Sequence, residues 1–125
     1  MKTALRDSPR CFEVDGGRVT MADVGSIELA SDEQVTFTGA SGSEYDVARK
    51  SWGYYATPSL NARLPAHGLR PALTRNAGGR FFICLVEIGS DRDFADYLAV
   101  TGMQVLGWLD DPSALSRLAA ALETG

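Results

Sequence analysis

This 125-residue chain predicts an α+β fold: a mostly antiparallel β-sheet or meander with one or two C-terminal helices packed on it. Three observations lead there. The first forty residues alternate apolar and polar side chains in short runs, broken by bends rich in Gly, Asp and Ser. Phe81 to Val86 is an uninterrupted apolar run, as expected of a strand covered on both faces. Two segments with helix start and stop signals follow it.

Residues 1–10 are polar, end near Pro9, and are expected to form a loose or tied-down tail. Cys11 to Val14 suits a short strand, and Asp15-Gly16-Gly17 suits the positive-φ positions of a tight turn. Val19 and Met21 alternate with Thr20 on the return strand. Ile27 and Leu29 alternate with Glu28, and Val35 and Phe37 with Thr36 and Thr38, giving two further strands around the bend Ser31-Asp32-Glu33. Gly39 to Ser43 matches neither a phosphate loop nor a nucleophile elbow and reads as a plain connection. Leu69 to Arg75 and Phe81 to Ile88 flank Asn76-Ala77-Gly78-Gly79, a hairpin loop, and Phe81 to Val86 is the expected central strand. Ser90 is the expected N-cap of a helix from Asp91, with Phe94, Tyr97 and Leu98 on one face and Gly102 as its stop. Met103 to Leu109 forms another strand, either parallel after a crossover or antiparallel. Asp111 and Pro112 open a last helix whose apolar stripe is Leu115, Leu118, Ala119 and Leu122.

Composition bounds the function. The length fits one domain spanning 1–125, and 45% apolar with 22% charged residues argues against a disordered chain. A net charge of −4 and a pI near 4.9 argue against general nucleic-acid binding. Cys11 and Cys84 lack metal-ligand spacing, so no metal site and no cofactor are expected. The amino-terminal segment has no signal-like apolar core and no run is long enough to span a bilayer, so a cytoplasmic location is expected.

The charge is unevenly spread. From Tyr45 to Arg80, six bases (Arg49, Lys50, Arg63, Arg70, Arg75, Arg80) meet one acid, Asp46, giving +5, while residues 1–44 carry −4 and residues 81–125 carry −5. Thr57-Pro58-Ser59-Leu60-Asn61 reads as the start of a short helical turn, with Thr57 as N-cap, whose free N–H groups could face an anion. Arg49, Lys50 and Arg70 could add charge, and Trp52, Tyr54 and Tyr55 flat surfaces for a sugar or base. The candidate ligand-binding set is therefore Arg49, Lys50, Trp52, Tyr55, Thr57, Ser59, Asn61 and Arg70. The same aromatics could instead be core or subunit interface, and the arginines could neutralise the acidic remainder of the chain. Asp46 and Lys50, four apart, could be an acid/base pair or a solvated ion pair. His67 is the only histidine, and it could be a general base or an exposed loop imidazole without a local carboxylate partner.

The run Tyr45-Asp46-Val47-Ala48-Arg49-Lys50-Ser51-Trp52-Gly53-Tyr54-Tyr55-Ala56-Thr57-Pro58-Ser59-Leu60-Asn61, with Gly68-Leu69-Arg70 after it, resembles small bacterial proteins of unassigned activity. These occur among surface-polysaccharide and sugar-nucleotide biosynthesis functions, and the likeness covers about residues 45–88. It implies a sugar or nucleotide-sugar context and assigns no catalytic residue. The first expectation is a small non-catalytic binding or accessory protein holding a phosphorylated sugar, a nucleotide sugar or a partner protein through the basic, aromatic segment. A small enzyme using Asp46, Lys50 or His67 for acid/base chemistry is the second. A homo-oligomeric interaction protein with Trp52 and Tyr55 at the subunit interface is the third, and a homodimer is expected because an open sheet leaves edges to cover.

Overall fold

The computed structural model describes residues 1–14, 17, 19–55 and 58–124, and its elements are those of an α+β fold with mostly antiparallel strands. The chain divides into two compact units, Met1–Val35 with Val47–Ala56, and Thr36–Asp46 with Thr57–Gly125.

In the first unit, β1 (Lys2–Val14) and β2 (Val19–Glu28) form an antiparallel ribbon running from the pair Lys2/Glu28 to the pair Val14/Val19. The expected tail is thus the first half of a strand, and the two short strands expected between Val19 and Leu29 are one continuous β2. The register shifts between Leu5 and Arg10, opposite Gly25 and Asp23. Gly25 has φ 149°, and a Cβ there would sit 2.4 Å from the Ala4 carbonyl oxygen, so the backbones approach too closely for any side chain. Arg10 and Arg6 both reach the Asp23 carboxylate at this shift. Of the expected turn, Asp15 and Gly16 lie outside the described residues, and Gly17 has φ 85°.

A three-stranded sheet follows in the order β3 (Gln34–Thr38), β4 (Glu44–Lys50), β5 (Gly53–Tyr55). The division between the units falls inside β3 and inside β4, so each of these strands carries residues of both.

The second unit holds α1 (Arg63–Ala66), β6 (Leu69–Arg75), β7 (Phe81–Glu87), α2 (Asp91–Thr101), β8 (Gln104–Trp108) and α3 (Pro112–Glu123). The sheet order is β7-β6-β8 with both pairings antiparallel, so β7, α2 and β8 make a parallel crossover over one intervening strand. The central strand is therefore β6, and the expectation that Phe81–Val86 occupies the centre is corrected: Phe81, Phe82 and Ile83 are 59%, 45% and 53% exposed. Pro71 makes β6 look unsuited to the centre, because proline cannot donate to a ladder. It sits just beyond the last β8 pair, Ala72/Trp108, where its carbonyl accepts the Leu109 N–H at 2.8 Å. Leu64, Leu69, Ala72, Val86 and Leu109 are the buried apolar side chains, with Pro71 and Thr74 enclosed among them.

The helix signals are met unevenly. Gly102 closes α2 in the left-handed region at φ 69°, and Asp111 caps α3 by accepting the Ser113 N–H at 3.2 Å. Ser90 makes no side-chain cap bond; its carbonyl instead accepts the Phe94 N–H. No residue of α3 is buried, and Leu118 and Leu122 of its apolar stripe are exposed. Among the described residues no helix is long and apolar enough to cross a membrane.

Candidate functional site

In the first unit, Asp32 sits at φ 68°, in the turn that brings its N–H to the Arg49 carbonyl at 2.7 Å. Its carboxylate then meets the Lys50 ammonium at 2.6 Å. Arg49 and Tyr54 are directly opposed in the β4–β5 hairpin, and the guanidinium lies 5.0 Å from the ring centroid. One terminal nitrogen, Nη1, donates to the Lys50 and Gly53 carbonyls at 2.9 and 2.8 Å and so closes the hairpin end. Its Nε and Nη2 have no protein acceptor among the described residues. The hairpin leaves its aromatic side chains outside: Trp52 is 69%, Tyr54 61% and Tyr55 54% exposed.

In the second unit, Asp46 is buried and accepts from the Thr36 hydroxyl at 2.7 Å and from Arg63 Nε at 2.9 Å. These two donors hold its carboxyl below the ordinary carboxylate range. Arg70 makes a two-pronged pair with Asp110, Nε to Oδ2 at 2.8 Å and Nη2 to Oδ1 at 3.1 Å, and its guanidinium stacks 4.3 Å from the Trp108 ring centroid. The pairing pulls the Asp110 carboxyl down and pushes the Arg70 guanidinium up, in each case against burial. Arg75 and Arg80 have no carboxylate partner among the described residues.

The helical turn begins later than the proline suggests. α1 opens at Arg63, whose N–H is taken by Ser59 Oγ at 2.8 Å, while the Leu64 N–H goes to the Ser59 carbonyl. Ser59 therefore spends its hydroxyl on the chain, Asn61 is exposed in the turn before the helix, and Thr57 lies outside the described residues. A helix of four residues offers no developed dipole. Of the eight candidate residues, Arg49, Lys50, Trp52 and Tyr55 belong to the first unit, and Ser59, Asn61 and Arg70 to the second.

One pairing escapes a local reading of the sequence. His67 Nδ1 lies 3.3 Å from Glu44 Oε2, and the two line a cavity of about 370 Å3 with Ser41, Ser43, Gly68 and Ile88. The Glu44 N–H donates to the His67 carbonyl at 3.2 Å, which fixes the two backbones side by side. The partner stands 23 positions away, beyond any helix or strand spacing. Asp46 and Lys50, weighed as proton carriers, are each committed to a different partner, Arg63 and Asp32. Among the described residues no cluster of three or more His, Cys, Asp or Glu side chains is arranged to hold a metal ion. No protein-family model matches the chain, and comparison with curated proteins and with solved structures returned no match.

Proposed function

We propose that the chain is a small, non-catalytic cytoplasmic binding protein whose β4–β5 hairpin holds an anionic sugar-type ligand, a phosphorylated sugar or a nucleotide sugar. The observation that carries this reading is the exposure of Trp52, Tyr54 and Tyr55 on one hairpin whose Arg49 guanidinium is fixed on the Tyr54 ring, with Nε and Nη2 uncommitted among the described residues. Flat rings of this kind stack on a sugar or a base, and a pre-oriented arginine edge donates to two phosphate oxygens at little entropic cost. Lys50 adds positive charge while held by Asp32, whereas Arg63 and Arg70 belong to the frame through Asp46 and Asp110. A thermal-shift series with sugar phosphates and nucleotide sugars tests the reading. A shift is expected, with an apparent affinity that falls about fivefold or more in Trp52→Ala, since one stacked ring contributes about 1–3 kcal/mol. Absence of a shift with every such ligand, or a shift untouched by Trp52→Ala, overturns it.

A second reading rests on the Glu44–His67 pair. The Glu44 carboxylate stands 3.3 Å from Nδ1, the side on which a partner orients a general base that works through Nε2. A small enzyme acting on a sugar-type ligand in that cavity requires His67→Gln to abolish turnover and Glu44→Gln to reduce it.

A further inference from the structure

β7 is an edge strand without the usual protections of an edge. It contains no proline and no lysine, its only charge is Glu87, and its register with β6 runs unbroken through seven pairs from Leu69/Glu87 to Arg75/Phe81. The opposite edge, β8, is interrupted by a register shift. Two bonds beyond the ends of the ladder give the direction of every peptide in β7. The Asn76 N–H donates to the Arg80 carbonyl and the Ile88 N–H to the Gly68 carbonyl, each at 3.0 Å and both in the same register. Even-numbered residues of β7 therefore turn their peptide groups toward β6, and odd-numbered ones turn theirs outward. The outward N–H and C=O groups of Phe81, Ile83 and Leu85 have no partner among the described residues, while the Glu87 carbonyl already accepts the Ser90 N–H.

We propose that β7 pairs antiparallel with β7 of a second copy of this chain, centred on Cys84, joining two three-stranded sheets into one. A two-fold axis normal to a sheet leaves each side chain on its own face, so only residues of equal parity can stand opposite one another. Centring on Cys84 is the register that uses the whole strand: Phe81 faces Glu87 of the second copy, Phe82 faces Val86, Ile83 faces Leu85, and Cys84 faces Cys84. The odd residues that turn their peptides outward are then the ones that exchange hydrogen bonds.

The side chains are complementary in the same register. Cys84, Ala72 and Trp108 are aligned across the sheet and so share a face, and Phe94 of α2 stands edge-on to Trp108 at 6.0 Å on that face. A cavity of about 290 Å3 lies there between β7 and α2, lined by Cys84, Val86, Phe94 and Tyr97. The exposed Phe82 of the second copy falls opposite Val86, beside that cavity. Knob and hollow thus occupy opposite halves of one strand and meet across the axis, which is why the occupant is a second copy.

Sedimentation equilibrium of the full chain at micromolar concentration should give twice the 13.4 kDa chain mass. Ile83→Lys should give the single mass with an unchanged circular dichroism spectrum, and Leu122→Lys, on the exposed stripe of α3, should leave the dimer intact. Should Ile83→Lys fail to fold, Phe81→Lys gives the same reading. In a Cys11→Ser background, Cys84 Cα atoms about 4.5 Å apart suit a disulfide, which accepts roughly 4.4–6.8 Å. Copper–phenanthroline in air, which removes two electrons and two protons from the thiol pair and passes them to dioxygen, should then yield a covalent dimer. A monomeric native chain, a dimer indifferent to the β7 lysines, or a dimer that Cys84 does not cross-link each overturns the proposal.

Discussion

Asp46 is a carboxylate that joins Thr36 of β3 to Arg63 of α1. It is buried, and its charge is matched by one guanidinium and one hydroxyl. Asp46→Ala removes both and should lower stability by about 2–3 kcal/mol, read from urea unfolding midpoints, because hydrogen bonds to charged groups are the strong ones. Asp46 and Asp110 also set an acid limb. Both carboxyls lie below their ordinary range in the folded chain, so at falling pH the unfolded chain binds protons first and unfolding takes protons up. Their contribution is complete above the ordinary carboxylate range, about pH 4, and is lost as pH drops through the depressed values. Asp110→Asn should therefore make thermal stability less dependent on pH across that acid window and leave the neutral plateau lower. Leu64, wholly enclosed, is the apolar counterpart: Leu64→Ala should cost about 2–5 kcal/mol by the same unfolding measurement. None of these partners is visible from local spacing. Arg70 and Asp110 stand 40 positions apart and become neighbours only when β6 and β8 are laid antiparallel, and Lys50 finds Asp32 only through a turn bent at φ 68°.

Elements were legible where their signal is local. The hairpin Leu69–Arg75 and Phe81–Glu87, the stop at Gly102 and the cap at Asp111 all follow from a few adjacent residues, and all are present. What the sequence does not carry is the order of strands: a continuous apolar run marks a strand but not its place in the sheet, and here it marks an edge. The same limit explains α1, where Pro58 suggests a start but Ser59 delays it to Arg63. The two cap sites give a paired test. Asp111→Ala should destabilise by about 1 kcal/mol in thermal unfolding, whereas Ser90→Ala, whose hydroxyl caps nothing, should be near neutral.

At the scale of the whole molecule, the fold class was predictable from residue patterns, while the division into two units was not, because it is written in no linker. The units are interleaved along the chain, so no single cut separates them. A fragment covering 57–125 keeps α1 to α3 but lacks Glu44 and Asp46, the partners of His67 and Arg63. Its circular dichroism is expected to show loss of cooperative thermal unfolding rather than an independent domain. Interleaving also bears on how the protein is made. A polypeptide emerges from the ribosome amino end first, and β1 with β2 can zip together as soon as Glu28 is out. The first unit must then wait for Ala56, and the second, whose earliest strand segment has already left the ribosome, must wait for the last helix. During that interval the apolar stretch Phe81–Val86 leaves the exit tunnel before α2 can pack against it, which makes it the natural point of capture for a nascent-chain chaperone.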